Sequence, residues 1–193
     1  IPDTVVEIDY NAFCSCQNLT DVIIRTGQNI DISSGVFSYC PELANVKLSD
    51  NTKHIEGMAF SNCPKLESIV IPEGITVIKS SCFESSGLKV IDLPQSLTTV
   101  EDYAFDDCNQ LAEVKFHGTR TEMENLNIGL YNEALIVAEW ELVGSKKLLK
   151  FNNKICGQEN DKPIKSWNKN PVFAAKRSYL KIEKGDIKKW LMK

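Results

Sequence analysis

"AFSNCPKLESIVIP", residues 59–72, places a cysteine three residues after a phenylalanine and follows it with L-x-x-I-x-I and a proline. A catalytic or metal-binding pair would occur once, whereas a structural device rebuilt along the chain recurs at a fixed period. Phe13, Phe37, Phe60, Phe83 and Phe105 lie 24, 23, 23 and 22 residues apart. Five residues upstream of each stands Ile8, Ile32, Ile55, Ile78 or Val100, and immediately upstream Ala12, Val36, Ala59, Cys82 or Ala104. Three residues downstream come Cys16, Cys40, Cys63, Ser86 and Cys108; then Leu19, Leu43, Leu66, Leu88 and Leu111 each open an L-x-x-V/I-x-apolar run. Five registers that agree at this many positions mark an internal repeat.

A unit of this length cannot bury its own apolar face, so its Leu, Val/Ile, Phe and Cys must point inward and be covered by the coils on either side. The alternating apolar pair that ends each L-x-x-V-x-I run is a short strand with one face inward. Successive strands then form a parallel sheet, one per coil, about 4.8 Å apart. Prolines after the strand (Pro2, Pro72, Pro94) end the pairing. The chain returns through the Ile…Ala-Phe side, where a large aromatic fills the wider radius.

Cysteine at the repeated inward position reads as a small buried hydrophobe, since the fourth repeat simply uses Ser86. Seven cysteines is an odd number and equivalent positions offer no unique pairing, so free thiols are favoured over disulfides. The two histidines, His54 and His117, fall at different places in the repeat and no C-x-x-C pair exists, which argues against zinc. Cys14, in "CSC" at 14–16, stands where other repeats have Ser38, Ser61, Glu84 and Asp106; it is expected to be exposed and the first thiol to react.

The pattern "LPxxLxxIxxxAFxxCxxLxxVxL", as in "LPQSLTTVEDYAFDDCNQLAEVKF" at 93–116, resembles the leucine-rich repeats of the BspA type, also called treponemal-type repeats, of surface and secreted proteins of bacteria and some protozoa. "FHGTRTEMENLNIGLYNEALIVAEWEL" at 116–142 is similar to the closing segment of such arrays, with Met123 where that segment usually has tryptophan. The expected fold is therefore an α/β-type repeat, mostly β: a right-handed leucine-rich-repeat solenoid with one short parallel strand per coil and a small C-terminal extension. The expected organisation is about five repeats over residues 1–116, a capping segment over 117–143 and a basic extension over 144–193. Within the cap, "ALIVAEWELV" at 134–143 reads as one more strand. The chain opens in mid-coil at Ile1-Pro2, which suggests a fragment of a longer protein. The resemblance implies protein or host-surface binding, adhesion or structural display at a cell surface or outside the cell, and carries over no catalytic residues.

Charge divides the chain. Residues 1–143 hold 8 basic and 22 acidic side chains, a net of −14, while residues 144–193 hold 14 basic and 4 acidic, a net of +10. The basic part interleaves lysines with Trp167, Phe173, Tyr179 and Trp190, and Asp186 reads as an N-cap for "GDIKKWLMK". An appended module with its own aromatic core is favoured over a surface for an anionic partner, because no nucleic-acid signature accompanies the lysines. A third reading docks the basic region on the acidic repeats. No apolar run reaches the roughly 18 residues of a membrane span, and no signal peptide is visible.

The candidate binding surface is the outward side of the sheet: Asp21, Ile23 and Arg25; Asn45, Lys47 and Ser49; Ser68 and Val70; Val90 and Asp92; Glu113, Lys115 and His117. Ile23, Val70 and Val90 are expected to form a modest apolar patch rimmed by charge, the anatomy of a protein-binding surface. No G-x-S-x-G, phosphate loop, H-E-x-x-H or dinucleotide glycine pattern occurs, the acid pairs Glu101-Asp102 and Asp106-Asp107 sit on solvated turns, and His54 has no acid placed to orient it. No cofactor or metal is implied; a protein partner is, with a host surface protein among the candidates. The alternative reading is a structural spacer whose basic extension binds a glycan, lipid headgroup or nucleic acid.

Overall fold

A computed structural model describes residues 1–144, except Thr26 and Gln28, together with the strand Leu148–Lys150. Asp186, expected as an N-cap, and the interleaved Trp167, Phe173, Tyr179 and Trp190 lie outside the described residues. In chain order the elements are β1 (Asp21–Ile23), β2 (Ile30–Ile32), β3 (Asn45–Lys47), β4 (Thr52–Ile55), β5 (Ser68–Val70), β6 (Val77–Ile78), β7 (Val90–Leu93), β8 (Thr99–Val100) and β9 (Glu113–Phe116). They are followed by α1 (Arg120–Glu124), β10 (Asn127–Ile128), α2 (Glu133–Val137), β11 (Glu139–Leu142) and β12 (Leu148–Lys150). Together they build a mostly β parallel solenoid of about five turns.

Each coil contributes a front strand from its L-x-x-V-x-I run. β5, β7, β9 and β11 pair in parallel and in register, β12 runs antiparallel to β11, and β1 pairs with β3 as a separate ladder. The expectation of one strand per coil is corrected by a second, back set: β2 pairs with β4, and β6, β8 and β10 form a three-stranded parallel sheet. Three of these back strands are two residues long, too short to show a period of two in the sequence.

The core between front and back is the set of inward positions. Ile32, Ile55, Ile78 and Val100 on the back, and Leu43, Leu66, Leu88, Ile91 and Val114 on the front, are at most 1% exposed. The phenylalanines close the third side as a ladder: Phe13, Phe37, Phe60, Phe83 and Phe105 stack ring on ring at 5.4 to 5.6 Å with nearly parallel planes. Phe13, in the first coil, is only half-buried, because the chain supplies a neighbour on one side of it.

The inward cysteines do more than fill space. Cys40, Cys63 and Cys108 each donate a thiol hydrogen bond to the carbonyl of the phenylalanine one coil earlier, Phe13, Phe37 and Phe83, at 2.9 to 3.1 Å. Each thiol thereby satisfies a backbone oxygen in the turn. Cys14, Cys16, Cys40, Cys63, Cys82 and Cys108 are all free thiols. Cys14, expected to be exposed, and Cys16 are both half-buried in the first coil, whereas Cys40, Cys63, Cys82 and Cys108 are buried.

Two corners per coil bend the chain around each phenylalanine through left-handed backbone. They fall two residues before and two after it: Asn11 and Ser15, Gly35 and Tyr39, Met58 and Asn62, Ser81 and Ser85, Tyr103 and Asp107, all with φ between 55° and 66°. Only one of the ten is glycine, so local strain is held by the inter-coil bonds. Phe37 N donates to Ala59 O, Phe60 N to Cys82 O and Phe83 N to Ala104 O, each at 2.9 Å. Gly87 has a different task. The fourth repeat is one residue shorter between phenylalanine and leucine than its neighbours, and a Cβ on Gly87 would stand 2.0 Å from the Pro64 carbonyl oxygen.

Beyond Phe116 the chain forms two single-turn helices. Thr119 and Glu122 make a reciprocal capping box on α1, which buries Met123, the residue found in place of tryptophan. The expected strand over 134–143 is corrected: α2 comes first and only Glu139–Leu142 pairs, beside β9. A continuous apolar run carries no helix-or-strand period. Asn132 fixes the break, accepting from Phe105 N and donating to Glu101 O, both at 2.9 Å. Trp140, fully buried, donates from Nε1 to Leu135 O at 3.0 Å and so ties β11 to α2.

Candidate functional site

The front-sheet register arranges the outward residues in columns. Ser68, Val90, Glu113 and Glu139 stand side by side in one, and Val70, Asp92, Lys115 and Glu141 in the next. On the separate ladder Asp21 faces Asn45 and Ile23 faces Lys47. Asp21, Ile23, Arg25, Asn45, Lys47, Ser68, Val70 and His117 are exposed, whereas Val90, Asp92, Glu113 and Lys115 are half-buried. Ser49, expected outward, is 8% exposed; its hydroxyl accepts from Asn51 N as the chain turns toward β4.

The expected apolar patch is thus only partly assembled. Ile23 and Val70 are 42% and 63% exposed, but Lys47 is the strand neighbour of Ile23, and Val90 is paired with Ser68, one column away from Val70. On this face Asp21 and Asp92 are engaged by the neighbouring coil, and Lys115 by its own strand. Asp21 accepts from Asn45 Nδ2 at 2.8 Å and from Thr20 Oγ1 at 2.6 Å, and these bonds hold its carboxyl below the usual value. Asp92 meets His117 Nε2 at 2.7 Å, and Lys115 approaches Glu113 at 3.9 Å along its own strand.

His54 corrects the sequence expectation that no acid orients it. Asp31 Oδ1 lies 2.8 Å from His54 Nδ1, because β2 and β4 pair with these two residues in register. Their 23-residue separation is one coil, so a search for nearby acids along the chain passes over it. The same rule makes Glu42–Lys65, Glu67–Lys89 and Lys79–Glu101 pairs between coils. Such exposed pairs align neighbouring coils and contribute little energy each. Among the described residues, no group of three or more His, Cys, Asp or Glu side chains is placed to hold a metal ion.

Glu139 and Glu141, which extend both columns with negative charge, are not recognised by the phenylalanine alignment because β11 belongs to no phenylalanine-anchored coil. The E-x-E alternation in "EWEL", with Trp140 and Leu142 inward, is the signal that finds them.

Residues 1–112 match the model of the BspA type leucine rich repeat region in six copies, one more than the five phenylalanine registers. A leucine rich cell surface protein from Faecalibacterium prausnitzii is 30% identical with a TM-score of 0.56, over 66% of this chain and 34% of that one. The leucine rich repeat protein of T. pallidum is 30% identical with a TM-score of 0.52, over 60% of this chain and 56% of that one. This chain therefore spans about a third of the first structure's length and somewhat over half of the second's. No curated protein matches the sequence. Among the described residues no helix is long and apolar enough to cross a membrane.

Proposed function

This chain belongs to the BspA-type leucine-rich repeat family, and on that premise we propose that it is a non-enzymatic protein-binding module of a cell-surface or secreted bacterial protein. Its contact surface is the outward side of the front sheet, from Asp21, Ile23 and Arg25 through Lys47 and Val70 to Lys115 and His117. The observation that carries this reading is the exposure of Ile23 and Val70 on short, in-register strands whose other outward side chains are polar. An apolar residue flanked by charge and held on rigid backbone loses little conformational entropy on binding. The likeness to a bacterial cell surface protein supports the location. No cofactor enters the reading.

The experiment is a binding screen of the full chain against purified host-surface proteins, with ionic strength varied, for the wild type and for a Lys47→Glu, Val70→Asp, Lys115→Glu variant. Binding that persists at high salt and is lost in the variant is the expected result. Binding retained by the variant sinks the reading.

The charge split favours one alternative, in which the repeats are a spacer and the +10 region over 144–193 binds an anionic glycan, lipid headgroup or nucleic acid. That reading expects binding that ignores the three substitutions and fades as salt rises.

A further inference from the structure

A second surface lies where α2 packs beside the last phenylalanine corner. A cleft of about 290 Å³ opens there, with Phe105, Leu111 and Val137 among its walls and Asp106, Asp107 and Glu133 sharing its lining. Phe105 and Leu111 are buried and make an apolar floor, while Val137 is 54% exposed at the rim. The next rung of the same seam carries Tyr103 and Tyr131, stacked at 4.3 Å and both exposed. Tyr103 N donates to Leu130 O and Phe105 N to Asn132 Oδ1, each at 2.9 Å, so cleft and tyrosine pair are consecutive parts of one junction.

Among the described residues, the charged side chains that line the junction are acidic. Burial, and then the charges of Asp107, Glu84 and Glu133, hold the Asp106 carboxyl above its usual value. Burial, Tyr131 and then the nearby Asp102 and Asp106 raise the Tyr103 phenol. A cation placed here relieves that repulsion, and the −14 of residues 1–143 steers one toward it.

We propose that this junction binds a lysine or arginine side chain presented by an extended cationic segment of a partner protein. The stem lies against Phe105, Leu111 and Val137, and the head group sits between the Asp106 and Asp107 carboxylates. A basic side chain has both halves that the cleft requires, an apolar stem and a charged tip. A bare metal ion would leave the apolar floor unused, and an anion would be repelled. The volume falls just under the roughly 300–1,000 Å³ of small-molecule pockets and suits a single side chain. A second cation further along the segment meets the exposed Tyr103–Tyr131 stack, whose ring faces attract positive charge. This site does not depend on the front-sheet reading.

The test uses the full chain and a fluorescein-labelled eight-residue peptide of alternating lysine and alanine, with its fully ε-acetylated counterpart, followed by fluorescence anisotropy. Two variants probe the cleft. The Asp106→Asn, Asp107→Asn pair removes charge while keeping a residue that tolerates the φ of 55° at position 107. Val137→Lys puts a tethered cation at an exposed rim position and keeps the test decisive if the first variant does not fold. The expected result is binding of the lysine peptide, none of the acetylated one, and a loss of about tenfold or more in both variants. Lys53→Gln, at an exposed position of β4, should leave the affinity unchanged. Equal binding of the acetylated peptide, an affinity indifferent to both cleft variants, or no binding at about 50 mM salt would overturn the proposal.

Discussion

Removing one ring from the phenylalanine ladder measures what holds the coils together. Phe60 is fully buried and stacks on Phe37 at 5.5 Å and on Phe83 at 5.6 Å. Phe60→Ala loses the transfer energy of the ring and leaves a cavity, a cost of about 3–5 kcal/mol. For a chain of this length that lowers Tm by roughly 6–20 °C. Phe60→Leu keeps most of the apolar bulk and loses both stacks. Each stack contributes about 0.5–1.5 kcal/mol beyond area burial, so the leucine variant should cost about 1–3 kcal/mol. Among the described residues Phe13 stacks only on Phe37, and it is half-buried, so Phe13→Ala should cost about half as much as Phe60→Ala. Urea denaturation of the full chain, followed by far-ultraviolet circular dichroism, gives all three values. Equal costs for Phe13→Ala and Phe60→Ala, or no cost for Phe60→Leu, would refute the reasoning, because the ring would then be filler and not a link between neighbours.

Gly87→Ala should destabilise by about 1–3 kcal/mol or more, since the atom that its Cβ meets at 2.0 Å is backbone and cannot swing aside; an unchanged urea midpoint would show that the corner yields. Thiol reactivity should divide sharply in the native protein near pH 8. The Ser38 hydroxyl, with help from Ser15, lowers the Cys14 thiol, whereas burial pushes Cys63 up to about 12 and raises Cys40, Cys82 and Cys108. Timed alkylation with peptide mapping should modify Cys14 well before those four, and rapid modification of Cys63 would contradict its burial.

The inward half of the fold was legible because burial writes directly into residue type: Phe60, Leu66 and Ile69 recur as apolar at every coil. The corners were not. A left-handed backbone ordinarily asks for glycine, but Met58, Ser81 and Tyr103 hold φ near 60° because the next coil anchors the turn, so no composition signal marks them. The shortened fourth repeat was visible as a spacing of 22, yet only the approach to Pro64 explains why Gly87 occupies it. The sequence of α2 reads as strand because Leu135 and Ile136 are both inward, which erases the amphipathic period. On the candidate face the columns followed from the repeat, while pairing did not. His54 and Asp31 are distant along the chain and adjacent only once parallel coils are in register.

The reversed direction of β12 bears on how the array stops growing. A stack of parallel coils is a template, and any further coil of the same kind would have to lay its front strand along the last front strand and its back strand along the last back strand, both parallel. β12 occupies the front edge running opposite to β11, while the back edge at β10 still runs with β8. A newcomer of the repeat type cannot match the two edges at once. One strand laid against the grain thus makes this edge of the described sheet a poor template for a further parallel coil.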